Sequence, residues 1–332
     1  MIILQLKSSY NHSDLADIEE IYSYIRKKFE FKIKGHEIHQ SLEDLNKLSF
    51  IQRAYIVTRF CSENEIEYLT LHVPIPRNER GYIHSAKSQK ITNDLILGTV
   101  REAEIIHREC RFKNKVVIVC HLPSIISADE IHYFNKAVKF SILEKAEEHL
   151  IDFYQHYQDY LTSFATLTLE NVFPKYFFHN TNAGSYATVN MFHPAEMIRL
   201  KEYGIKTTLD FSHYNIYSNL LSNDEMHDNI VKVEREAYGS TAPSWKDCID
   251  LLGESLIQLH ISNSKGTAEG LMLPDGEIPL LDILKYINFG NYCNLGRPIQ
   301  ATIELKEGHL NHSKFQRNAV EWLLLSTDTI FQ

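Results

Sequence analysis

Gly204-Ile-Lys-Thr-Thr-Leu-Asp-Phe-Ser-His-Tyr-Asn215 places a carboxylate and an imidazole at the point where a short apolar run stops. Leu209 ends the run, Asp210 follows it, and His213 comes three residues later. Side chains alternate along a β-strand. A carboxylate at the last position therefore points into whatever the strand ends surround, and an imidazole three residues on can turn back over it. Taken alone, such a pair is better read as a turn cap beside a surface histidine. It is not alone, because apolar β-rich runs also end in His or Glu at Leu71-His72, Cys120-His121, Leu169-Glu170, Leu259-His260 and Ile303-Glu304.

Working outward, the chain alternates strand and helix. Strands are predicted over 1–7, 31–38, 66–73, 115–121, 164–170, the run ending at Asp210, 256–261 and 298–304. Helices are predicted over 13–29, 48–64, 88–110, 131–160, 194–203, 245–254, 280–288 and 311–326. Lys115 to His121 contains Val-Val-Ile-Val-Cys, a continuous apolar run of the kind a parallel sheet buries on both faces. From Tyr214 to Thr241 the sequence is polar, and it reads as a lid or loop insertion longer than most connections in compact domains. Eight strands alternating with helices imply a parallel sheet. A closed barrel is preferred over an open sheet, because only closure brings six or more strand ends around one axis. The expectation is an α/β fold, a single (β/α)8 TIM barrel domain over residues 1–332 with a long loop insertion after strand 6.

Composition excludes other classes. The chain has 332 residues, 44% hydrophobic and 23% charged, as in a globular protein with ample core. No run of 18 apolar residues is present and the N-terminus does not read as a signal peptide, so a cytoplasmic protein with no membrane partner is expected. Five cysteines without a Cys-x-x-Cys pair argue against a disulfide framework or a thiolate zinc site. Strand alternation turns Cys120 away from the site. A net charge of −9 argues mildly against a broad nucleic-acid surface. No Gly-x-Gly-x-x-Gly, P-loop or Gly-x-Ser-x-Gly motif supports a nucleotide fold or a serine hydrolase.

His72, His121, Glu170, Asp210, His213, His260 and Glu304 each have a structural explanation when taken singly. Gathered at one rim, their three carboxylates would repel and resist ionisation without a cation. A divalent metal removes that penalty, and the imidazole and carboxylate set suits Zn, Mn, Fe or Co more than Ca.

His72-Val-Pro, His121-Leu-Pro, Leu-Glu170-Asn, Leu-Asp210-x-x-His213, His260-x-Ser-Asn-Ser-Lys and Glu304 resemble the strand-end series of the xylose isomerase-like barrels. That superfamily includes endonuclease IV and the sugar isomerases and epimerases, and the resemblance runs in order from His72 to Glu304. It implies a central divalent metal, Zn or Mn, on Glu170, Asp210, His260 and Glu304. It also implies a second zinc on His72 and His121 with the shared Glu170. The sequence departs from endonuclease IV in the stretch from Lys265 to Pro279, which lacks the Asp-x-His that completes a third zinc with the residue matching His213. Glu269 or Asp275 is the candidate there for one remaining ligand.

Two readings follow. As a sugar or sugar-phosphate isomerase or epimerase, the protein would use Glu170 and Glu304 to exchange protons on opposite faces of a carbon, with His213 as a further catalytic group. His213, Lys306 and Glu37 are the candidates for binding substrate. As an endonuclease IV-like phosphodiesterase acting on DNA, it would use two cations and depend on His72 and His121. The acidic composition and the missing third-site ligands tilt the reading toward the sugar. A non-catalytic barrel scaffold is the third and least favoured alternative, and the oligomeric state is left open.

Overall fold

The computed structural model describes residues 2–74, 86–121, 124–177, 186–223, 225, 228–290, 298–306, 310–327 and 330–331. Eight strands form its centre: β1 (Ile2–Ser8), β2 (Gly35–His39), β3 (Tyr68–His72), β4 (Val116–Cys120), β5 (Ala165–Glu170), β6 (Lys206–Asp210), β7 (Leu256–Ile261) and β8 (Ile299–Ile303). Each pairs in parallel with its neighbours in sequence, and β8 returns to pair with β1, closing the barrel. The architecture is therefore the (β/α)8 barrel expected from the sequence.

Strand alternation sorts the side chains into two sets. Leu4, Leu6, Ile38, Leu71, Ile118, Leu169, Leu209, Leu259, Ala301 and Ile303 join the apolar core shared with the helices. The opposite set begins with Gln5, Thr70, Thr168, Thr208, Gln258, Gln300 and Thr302, all buried. These groups satisfy one another. Gln5 Nε2 donates to Gln300 Oε1 at 2.6 Å, Thr302 Oγ1 donates to Gln5 Oε1 at 2.8 Å, and Thr168 and Thr208 hydroxyls meet at 2.7 Å. Two residues further along the same strands stand Lys7, His72, Glu170, Asp210, His260 and Glu304. The period of two thus delivers a charged layer at the C-terminal mouth of the barrel, where barrel active sites sit. Gly35 permits the close pairing of β1 and β2, because a Cβ there would lie 2.4 Å from Gln5 Cγ and 2.8 Å from the Leu4 carbonyl oxygen.

The insertion after strand 6 takes a different form from the expected loop. Residues 214–241 are largely helical, within Phe211–Ser222 and Asn229–Tyr238. Asp210 caps the first helix and Asp228 the second, each accepting from backbone N–H groups of the first turn. Tyr214, Ile216, Tyr217, Leu220 and Leu221 bury one face of the first, and Ile230, Val231 and Val233 bury a face of the second. Burial of these faces outweighs the modest helix propensity of the Asn and Ser residues between them. Fully buried Lys139, from helix Lys136–Leu161, fastens this region. Its Nζ lies 2.6 Å from Glu196 Oε1 and 2.5 Å from Glu234 Oε1. A second excursion follows β5, where Tyr186–Thr188 pairs antiparallel with both Ile125–Ser127 and Tyr176–Phe177. Among the described residues no helix is long and apolar enough to cross a membrane.

Candidate metal centre

Glu170, at the end of β5, is the hub of the barrel mouth. Its Oε2 lies 3.1 Å from His72 Nε2 at the end of β3, 2.6 Å from His121 Nε2 just past β4, and 3.2 Å from His260 Nδ1 on β7. Three imidazoles thus face one carboxylate oxygen. His260 Nδ1 also lies 2.6 Å from Glu304 Oε2, from the residue that follows β8. Donor atoms of Glu170, Asp210, His260 and Glu304 all lie within 4.8 Å of one another, and so do those of His72, Glu170 and His260.

Several of these atoms are in contact without being hydrogen-bonded. Glu170 Oε1, His121 Nε2, His260 Nδ1 and Glu304 Oε2 are buried and have no hydrogen-bond partner. Buried polar atoms left in this state are costly, and here the atoms left are electron-pair donors converging from four strand ends. A divalent cation satisfies such a set. The residues present therefore fit a divalent metal held by imidazole and carboxylate donors.

The electrostatics agree with a site built for positive charge. Burial alone would push the Glu170 carboxyl up, yet His121 and His260 hold it well below the usual carboxylate range. Burial opposes protonation of His260, but Glu170, Glu37 and Glu304 raise it well above the ordinary imidazole value. Burial raises Asp210 to about 6, with Glu170 and Glu304 adding to the shift against His213. Burial lowers His121, which favours the neutral imidazole that a metal ligand must be.

Asp210 serves both sequence readings. Its Oδ1 accepts the His213 backbone N–H at 2.6 Å, which is the cap, while the residue stays in the donor cluster. Asn171, adjacent to Glu170, clamps the end of β6. Its Oδ1 accepts from the Asp210 N–H at 2.7 Å and its Nδ2 donates to the Asp210 carbonyl at 3.1 Å. His213 turns back over the cluster as expected, with Nδ1 donating to the Asn171 carbonyl at 2.9 Å and lying 3.6 Å from Glu170 Oε1. Its Nε2 faces Glu269 Oε2 at 3.7 Å, and Lys175 Nζ pairs with Glu269 Oε1 at 3.0 Å. Asp275 is exposed.

The other two substrate-binding candidates differ in their exposure. Glu37 is fully buried, and its Oε2 receives Gln258 Nε2 at 2.8 Å, Thr302 Oγ1 at 2.8 Å and His260 Nε2 at 3.0 Å. It holds His260 instead of presenting itself to a ligand, because it lies on β2 one inward position before the strand end. Lys306 is exposed and its backbone N–H donates to the Gly270 carbonyl at 3.0 Å, so it belongs to the rim. The sequence reading missed Lys7, whose Nζ pairs with Glu304 Oε1 and lies 3.5 Å from Glu37 Oε1. The strand-end rule applied to β1 would have found it. His39 was also passed over. It ends β2 with its ring centroid 4.9 Å from that of His72.

Solved structures share this closed (β/α)8 barrel fold along nearly their whole length. One is an AP endonuclease, family 2, from Brucella melitensis, 13% identical, with a TM-score of 0.58 and coverage of 98% of this chain and 99% of that one. Another is a putative sugar phosphate isomerase/epimerase from Anabaena variabilis, 11% identical, with a TM-score of 0.57 and 99% of each chain covered. A third is a D-allulose 3-epimerase from Methylomonas sp. in complex with D-allulose, 12% identical, with a TM-score of 0.54 and coverage of 98% and 97%. No protein-family model matches the sequence, and no curated protein matches it.

Proposed function

We propose that this protein is a divalent-metal-dependent barrel enzyme that hydrolyses a phosphate ester at a two-cation site in which both cations would share Glu170 as a ligand. The observation that carries the reading is the meeting of His72 Nε2 and His121 Nε2 on the same Glu170 oxygen that faces His260. Glu170, Asp210, His260 and Glu304 would hold one cation, and Glu170, His72 and His121 the other. When bound, such cations supply Lewis acidity that activates water at neutral pH and neutralises charge on phosphoryl oxygens. The protein's own groups do the positioning. Glu37 holds His260 through Nε2, Asn171 fixes the end of β6, and His213 lies over the cluster with Nε2 facing Glu269. The Brucella structure, an AP endonuclease by its description, makes a phosphodiester in damaged DNA the first substrate to try.

Proton transfer on a sugar or sugar phosphate by Glu170 and Glu304 is the second reading. It is favoured by the buried Glu170 Oε1, which has no hydrogen-bond partner, and by the net charge of −9. The pairing of Glu304 Oε1 with Lys7 weighs against it, because a carboxylate held by an ammonium is a poor proton shuttle. The metal-loaded protein should be assayed for cleavage of an abasic-site duplex and of a small phosphodiester, beside deuterium incorporation into a panel of ketoses and ketose phosphates. Cleavage that depends on His121, without exchange, supports the hydrolase. Exchange that depends on Glu170, without cleavage of either ester, overturns it in favour of the isomerase.

A further inference from the structure

Lys7 closes a ring of charge around the acidic cluster. From β1, where it pairs in register with Glu37 of β2, its Nζ reaches Glu304 Oε1 and lies 3.5 Å from Glu37 Oε1. The other oxygen of each carboxylate goes to His260: Glu37 Oε2 lies 3.0 Å from Nε2, and Glu304 Oε2 lies 2.6 Å from Nδ1. Each carboxylate therefore spends one oxygen on the lysine and turns the other to a different edge of the same imidazole. Lys7 is buried to 15% side-chain exposure, and Glu37 and His260 are fully buried. Displacement of the partners of Glu37 or His260 would leave a buried charge unpaired, which is expensive.

We infer that Lys7 is a positioning residue that holds Glu304 to a single ligating oxygen and fixes His260 with Nδ1 as its metal-facing nitrogen. This rests on the reading that Glu170, Asp210, His260 and Glu304 bind a divalent cation. With Oε1 held by the ammonium, only Oε2 of Glu304 is available to the cation, so the set offers four donor residues in a closed, low-coordination arrangement. Glu37 accepts the Nε2–H of His260 and leaves the Nδ1 lone pair free, as an outer carboxylate does for a metal-ligating histidine. Lys7 anchors Glu37 from the far side, so one lysine orients two ligands. Without Lys7, Glu304 is free to turn both oxygens to the metal and raise the coordination number. The lost positive charge also removes a competitor for the carboxylates.

The test uses Co²⁺ as a spectroscopic probe in the metal-stripped full chain, one equivalent per protein, because visible absorption of Co²⁺ weakens as coordination number rises. Lys7→Met should bind Co²⁺ yet show a severalfold loss of visible absorption relative to the wild type, and Lys7→Arg, which keeps the charge on Glu304, should restore most of it. A wild-type spectrum in Lys7→Met would overturn the inference. A crystal structure of the zinc-loaded wild-type protein reads the same geometry without a variant: Glu304 Oε1 on Lys7 Nζ supports it, and both Glu304 oxygens on the metal overturn it. Failure of the wild-type protein to bind Co²⁺ or Zn²⁺ saturably would refute the metal reading itself, whereas saturable binding with an unchanged Lys7→Met spectrum refutes only the role of Lys7.

Discussion

His121→Ala separates the two chemistries most directly. The imidazole sits just beyond β4 with Nε2 2.6 Å from Glu170 Oε2, and its ring centroid is 4.8 Å from that of His72. Burial holds it below the ordinary imidazole value, so at neutral pH it is a neutral electron-pair donor with no proton to displace. Truncation to Ala leaves Glu170 and His72 as the protein donors of that half of the centre among the described residues, and leaves Asp210, His260 and Glu304 untouched. Loss of an outer partner of a metal ligand already costs about 10–100-fold in affinity, so loss of a direct donor should cost at least that, about 1.4–2.7 kcal/mol for the second cation. Metal-stripped protein titrated with zinc, freed of excess by gel filtration and analysed for metal, should hold two cations per chain in the wild type and one in His121→Ala. Ester cleavage should fall at least 100-fold in step. Two cations held by His121→Ala with wild-type affinity would refute the shared-ligand reasoning, whatever the activity.

Three further outcomes follow from the same geometry. Asp210→Ala combined with Glu304→Ala should abolish stoichiometric Zn or Mn binding at the four-residue set, and full binding by the double variant, measured by equilibrium dialysis, would remove that assignment. Lys139→Met should lower stability by about 3–5 kcal/mol, because it leaves buried Glu196 and Glu234 without their shared cation; denaturant unfolding checks this, and a change under 1 kcal/mol would contradict it. His36 is fully buried between Ser8 Oγ and Tyr22 OH, each 2.9 Å from a ring nitrogen, and burial lowers it from 6.5 to about 3. Its folded-state value is depressed, so its contribution is complete above pH 6.5 and is lost as pH falls from 6.5 toward 3. At 1.36 kcal/mol per unit this is worth up to about 5 kcal/mol, and the stability difference between wild type and His36→Phe should shrink across that window. A constant difference would show that His36 does not titrate as placed.

The sequence by itself determined the barrel and most of the members of its centre. Both are legible for the same reason: strand side chains alternate with period two, so His72, Glu170, Asp210, His260 and Glu304 announce themselves where apolar runs stop, and repetition around the chain implies closure. Lys7 also sits where an apolar run stops, whereas Glu37 stands two residues before the end of β2; only packing reveals that Glu37 lies inside against His260 while Lys7 reaches Glu304 across the seam between β1 and β8. The helices of 211–238 were hidden for another reason. Their Asn, Ser and Tyr residues have little helical preference of their own, and the helices form because Asp210 and Asp228 cap them and Tyr217 and Val233 find a buried surface. Tertiary structure alone decided which groups share Glu170 Oε2. Three imidazoles 49, 90 and 98 residues away in the chain meet there because a closed parallel barrel converts strand order into adjacency, and no local rule encodes that distance.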